Sequence, residues 1–86
     1  MICDEVINAF GRTGKMFATE HWGIKPDITT VAKALTSGYL PLGAAIASKT
    51  IASAFEGGDD DALRHLITFG GNPACCAAAT ANIAIM

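Results

Sequence analysis

Lys33 ends the apolar, β-branched run Ile28-Thr29-Thr30-Val31-Ala32, and the loop that follows it contains Gly38. A lysine at the end of such a run loses hydration, which disfavours the ammonium form and leaves more neutral amine to attack a carbonyl. The plain alternative is a strand-end lysine whose stem lies on apolar surface while its charge reaches water. Asp4 bears on the choice, because it follows the apolar start Met1-Ile2-Cys3. In a parallel α/β sheet the carboxyl ends of the strands converge on a crevice where ligands bind, so Asp4 and Lys33 could face one ligand. A salt bridge between them is the mundane reading of the same pair.

An amine opposed to a carboxylate is the pair that pyridoxal phosphate requires. Its aldehyde condenses with a lysine to a Schiff base, and an aspartate beside the ring nitrogen keeps that nitrogen protonated so that the ring accepts electrons. The cofactor also needs a phosphate anchor. Thr68-Phe69-Gly70-Gly71-Asn72-Pro73 offers a hydroxyl, free backbone amides and the positive end of a helix. Gly11-Arg12-Thr13-Gly14-Lys15 suggests a different phosphate site, a nucleotide-binding loop. That motif needs glycine at position 9 and serine or threonine at position 16, where the chain has Ala9 and Met16.

The elements that must position these residues follow from local pattern. Met1-Ile2-Cys3 reads as the end of a strand stopped by Asp4 and Glu5, and Ile28 to Val31 favours a second strand ending near Lys33. Between them, 8–23 reads as a structured loop with a helical turn around Lys15 to Trp22. Ala44-Ala45-Ile46-Ala47-Ser48 predicts a further, fully buried strand, although its period also allows a helix. Lys49 to Phe55 is a short helix, and Glu56-Gly57-Gly58-Asp59-Asp60-Asp61 a solvated loop. Asn72 can cap a helix that Pro73 opens and that runs to the chain's end. That helix is apolar nearly all round and is expected to be buried, or docked against more protein than this chain contains.

With 86 residues the chain has room for one small domain, which buries roughly 60 to 65% of its unfolded surface. Hydrophobic residues make up 51% of it and charged ones 16%, a richer apolar content than a free-standing domain of this size hides easily. The composition suggests the interior of something larger. The formal net charge is -2 and the basic residues are scattered, which argues against nucleic acid and anionic membranes as partners. Three cysteines, with Cys75 and Cys76 adjacent in an alanine-rich run, fit neither a disulfide framework nor a metal site. A reducing, cytoplasmic setting is the expectation, with no leader and no membrane span evident.

Asp4-Glu5-Val6, Phe10-Gly11-Arg12-Thr13-Gly14-Lys15-Met16-Phe17, Glu20-His21, Pro26-Asp27, Ala32-Lys33-Ala34-Leu35, Leu40-Pro41-Leu42-Gly43-Ala44 and Thr68-Phe69-Gly70-Gly71-Asn72-Pro73 stand in one order and register. In this the chain resembles the class III aminotransferases of pyridoxal-phosphate fold type I, over essentially its whole length. The resemblance implies an α/β fold, with residues 1–86 forming part of the cofactor-binding large domain. The amino-terminal segment and the carboxyl-terminal small domain of the family are not represented. It implies transamination between an amine or amino acid and a keto acid. Lys33 would carry the cofactor and then shuttle the proton as general acid and base. Asp4 would pair with the pyridinium nitrogen, and Val6 would pack on the ring. Thr68 would reach the cofactor phosphate of the neighbouring subunit, which implies a homodimer.

The sequence also departs from the family pattern. Ile7 stands where many relatives have a glutamine that contacts the cofactor, and this tilts the subtype toward enzymes acting on ω-amines. Asn8-Ala9 replaces the usual threonine and glycine, so the path of that loop is open. His21 and Arg12 belong, by the family pattern, to the loop's internal scaffold. An aminomutase or a decarboxylating aminotransferase would share Lys33, Asp4 and Thr68. A second hypothesis of different class is a non-catalytic fragment: strands without neighbours present open edges, and the chain alone is expected not to turn over substrate.

Overall fold

The computed structural model describes all residues, Met1–Met86. Three short strands form one sheet in the order β1-β2-β3, with β1 at Ile2–Asp4, β2 at Ile28–Val31 and β3 at Ala44–Ala47. β2 is central because its β-branched side chains suit a pleated surface with neighbours on both sides. It pairs in parallel with β1, setting Ile2 against Ile28 and Asp4 against Thr30. On its other side it runs antiparallel to β3, with Ile28 opposite Ala47 and Val31 opposite Ala44. The parallel pair is joined by the long connection 5–27, which includes a 3-10 helix at Ala18–Trp22.

The helical elements fall close to expectation. Lys49–Phe55 divides into a four-residue α1, Lys49–Ala52, capped by the Ser48 hydroxyl, and a 3-10 turn at Ser53–Phe55. α2 spans Pro73–Ile85, with the Asn72 side chain accepting hydrogen bonds from the Ala74 and Cys75 N–H groups. Its length and apolar composition do not suffice for a membrane crossing. The acidic stretch Asp59–Asp61 is exposed, as a solvated loop should be.

The core is small. Ala9, Val31, Leu35 and Ala79 are buried together, with Phe10, Phe17 and Leu42 packed around them. Ala9 therefore resolves the loop path left open by the missing glycine: its methyl group enters the core, and its N–H donates to the Glu5 carbonyl at 3.0 Å.

Three expectations are corrected. β2 ends at Val31 rather than Lys33, because Ala32 is the last extended residue and Lys33 begins a 3-10 turn, Lys33–Thr36. β3 is exposed at all four positions, since it is an edge strand that no helix covers. Of the two expectations for α2, burial within this chain does not hold: it buries only Cys75 and Ala79, because the turn at 33–36 offers it one narrow surface, and Ile85 on another face stays 85% exposed.

Truncation at the two kinds of leucine should separate core from surface. Leu35→Ala is expected to lower stability by about 2–4 kcal/mol through lost burial and the cavity left behind. Leu66→Ala, at a side chain 98% exposed, should change it by less than about 0.5 kcal/mol. Urea unfolding midpoints measured at unchanged slope check both.

Candidate functional site

The parallel pairing of β1 and β2 brings two chain reversals to the same end of the sheet. At the end of β1, Asp4 turns back on its own backbone, and its Oδ1 accepts the Val6 N–H at 2.9 Å. Such a local turn fixes the direction of a short carboxylate side chain. At the end of β2 the backbone swings through an extended Ala32 into Lys33 at φ 46°, a left-handed conformation that is uncommon for a residue with a Cβ. Asp4, Val6, Ile7, Asn8 and Lys33 together line an open concavity of about 360 Å³.

Neither Asp4 nor Lys33 takes part in an ion pair; the two in the structure are Met1–Asp27 and Asp60–Arg64. The salt-bridge reading of the Asp4–Lys33 pair is thereby set aside. The amine and the carboxylate share one cavity without neutralising each other, and Val6 and Ile7 add apolar lining to it. Lys33 is exposed, so the dehydration expected of a strand interior is not supplied by its protein neighbours. Past the end of β2 the backbone no longer holds the side chain within the pleat.

Thr68 is not brought to this cavity. It lies exposed in the turn 68–71, ahead of α2, and does not line the surface shared by Asp4 and Lys33. The helix end beside it is not a set of free donors either. Asn72 Oδ1 takes the N–H groups of Ala74 and Cys75 at 3.0 and 3.2 Å, and the Asn72 carbonyl takes that of Cys76. Among the groups expected to meet a phosphate, the Thr68 hydroxyl and the Phe69, Gly71 and Asn72 N–H groups are left without a hydrogen bond in the chain, whereas the Gly70 N–H donates to the Ile67 carbonyl.

His21 behaves as a scaffold residue. Its Nε2 lies 2.9 Å from the Thr13 carbonyl and 3.2 Å from the Thr13 hydroxyl, tying the 3-10 helix to the glycine loop. Arg12 departs from that expectation: it forms no ion pair and lines a second concavity with Lys33, Ala34, Ser37 and Gly38. Cys75 is a buried free thiol, and Cys3 and Cys76 are half-buried free thiols.

Sequence reasoning missed Glu5. Its carboxylate is buried, 2% exposed, with Oε2 accepting the Ala18 N–H at 3.1 Å and Oε1 the Thr19 N–H at 2.8 Å. Alternation along the strand explains the division of labour: adjacent side chains leave opposite faces, so Asp4 meets the cavity while Glu5 holds the loop from the other side. The signal was the placing of two carboxylates directly after an apolar strand, where only one can face solvent.

A model of the family described as aminotransferase class-III matches residues 1–86, the whole chain. The chain belongs to the class III aminotransferases. It is 55% identical over 86 residues to an acetylornithine aminotransferase of Methanothermobacter thermautotrophicus, covering 100% of this chain and 20% of that protein. It is 53% identical over 87 residues to the aminotransferase YhxA of Bacillus subtilis, whose activity is uncharacterised, covering 100% of this chain and 19% of that one. Among solved structures, a Bacillus anthracis aminotransferase superposes with a TM-score of 0.92 at 53% identity, over 98% of this chain and 19% of its own. A taurine:2-oxoglutarate aminotransferase from Bifidobacterium kashiwanohense, solved with pyridoxal phosphate and glutamate, superposes at 0.90 with 47% identity, over 96% of this chain and 18% of that one. The class III chain thus spans about a fifth of the length of the relatives it matches.

Two stability measurements test this geometry. Lys33→Gly should raise stability relative to Lys33→Ala by about 1 kcal/mol, because glycine enters the left-handed region without a Cβ penalty. Glu5→Ala should cost about 1–3 kcal/mol, since it leaves the Ala18 and Thr19 N–H groups without their acceptors. Glu20→Ala, whose acceptor contact to the Phe17 N–H is exposed, should cost less.

Proposed function

We propose that the class III chain supplies the amine and the ring-facing carboxylate of a pyridoxal-phosphate site, within an enzyme that moves an amino group between an amine or amino acid and a keto acid. What supports this most is that Lys33 and Asp4 line one cavity while neither is neutralised by a protein partner. Class III aminotransferases depend on pyridoxal phosphate, and the donor set present fits it: a reachable primary amine, a carboxylate whose Oδ1 is oriented by the Val6 N–H, and apolar side chains in the same lining. When bound, the cofactor supplies an aldehyde carbon and an electron sink.

The chain's residues have separable tasks in this reading. Lys33 Nζ would hold the cofactor through its aldehyde carbon and, when free, would take and return the proton at the reacting carbon. Asp4 presents its remaining carboxylate oxygen to a protonated ring nitrogen and stabilises that charge by a charge-assisted hydrogen bond. Val6 bears on one ring face by contact. Ile7, on the same cavity wall, offers no hydrogen bond and keeps that side apolar, which favours the branch acting on ω-amines. Thr68, remote from the cavity of its own chain, donates its hydroxyl to a phosphate held by a second subunit. Residues 1–86 are in this reading part of a fold type I large domain.

Reductive trapping tests the assignment. After incubation with pyridoxal phosphate and borohydride, peptide mapping should place the adduct on Lys33 ahead of Lys15, Lys25 and Lys49, and Lys33→Ala should remove it. Asp4→Ala should keep the site of attachment but weaken cofactor retention by about tenfold, the loss expected for one charge-assisted contact. Even labelling of all the lysines would refute the proposal.

A further inference from the structure

Asn82 lies on the face of α2 that meets the turn beginning at Lys33. Its Nδ2 donates to the Ala34 carbonyl at 2.8 Å and to the Leu35 carbonyl at 3.2 Å, while its Oδ1 accepts the Ser37 hydroxyl. All three partners belong to one short stretch, and all lie 45 to 48 positions before Asn82 in the chain. Cys75 and Ala79, buried on the same helix, contribute packing. Asn82 contributes direction.

That stretch is unusual in its backbone. Lys33 at φ 46° opens it and Ser37 at φ 51° closes it, so two residues with Cβ atoms lie in the left-handed region on either side of a single 3-10 turn. Such conformations persist only where the surroundings over-determine them. The turn's own closing bonds, Ser37 N–H to the Ala34 carbonyl at 3.1 Å and Gly38 N–H to the Lys33 carbonyl at 3.2 Å, are at the long end of the normal range. The primary amide of asparagine matches the remaining demand group for group, with two N–H donors for two carbonyls and one oxygen for one hydroxyl. Aspartate would turn an oxygen toward two carbonyl oxygens, and alanine would leave the Leu35 carbonyl and the Ser37 hydroxyl without a partner and the Ala34 carbonyl with the Ser37 N–H alone.

We infer that Asn82 is a positioning residue for Lys33. By tying Ala34, Leu35 and Ser37 to α2 it keeps the Lys33 backbone left-handed and so sets the direction in which the amine leaves the turn. This rests on Lys33 being the amine of the site. The mechanical part stands apart from any cofactor. Held by Asn82, the turn keeps the strain at Lys33; released from α2, it relaxes that strain locally.

The first test is a double-mutant cycle on the cofactor-free chain, read as urea midpoints. Lys33→Gly should raise the midpoint in the native background, and that rise should shrink by at least about half when Asn82→Ala is also present, as coupled sites require. Ser37→Ala, which removes a single bond to Asn82, should shrink it less, and it takes the place of Asn82→Ala where the latter gives no cooperative transition. Equal rises in all backgrounds overturn the inference.

The second test is the rate of pyridoxal-phosphate attachment at Lys33, with Lys25 and Lys49 as internal references. Asn82→Asp should slow Lys33 by about three- to tenfold and leave the references unchanged, a factor in the range of couplings between contacting residues. If Lys33 is favoured equally in the native chain and in Asn82→Asp, the positioning role fails and the proposed function stands. If Lys33 is not favoured even in the native chain, the proposed function fails, and the midpoint cycle still decides whether Asn82 holds the turn.

Discussion

The parallel ladder between Ile2–Asp4 and Ile28–Val31 is the constraint on which the rest of the site depends. Parallel pairing makes both chains leave the sheet at the same end, so a carboxylate just after one strand and an amine just after the other face the same space. An antiparallel arrangement of the same strands would put them at opposite ends. The register then sets the alignment along the strands: Asp4 lies opposite Thr30, which leaves Lys33 just beyond the ladder and free to open the turn.

Around that ladder the structure uses polar contacts of long sequence separation more than it uses burial. Eight of the 86 residues are buried, so the geometry of the chain reversals depends on groups whose hydrogen bonds are specific in number and direction. Glu5 fastens the loop that follows β1 by accepting two backbone N–H groups. Asn82 fastens the turn that follows β2 by meeting two carbonyls and a hydroxyl. Both lie outside the cavity, and each holds one of its two rims.

Much of this was legible before the fold was in hand. The β-branched run at 28–31, the Asn72-Pro73 helix start and the carboxylate at a strand end are local signals, and each appears in place, whereas the lysine lies two residues past the end of its strand. The buried reading of Ala44–Ala47 failed because an apolar run reports compatibility with burial and not the presence of a cover. Burial of the all-round apolar α2 within this chain failed in the same way, since it docks by one face only. Glu5 and Asn82 were passed over because their partners lie 13 to 48 positions away, and no local period marks a side chain by what it will meet across the fold.

Residue chemistry and order were therefore determined by the sequence: an amine and a carboxylate after two apolar runs, in the register of the class III aminotransferases. Tertiary structure decided the rest. It left the two charges unpaired in a common cavity, carried Thr68 away from them, and put Lys33 beyond its strand in a left-handed turn that α2 holds from outside. The physical reason is that chemical identity belongs to single residues, whereas charge pairing, strain and hydrogen-bond satisfaction belong to sets of atoms that only the folded chain brings together.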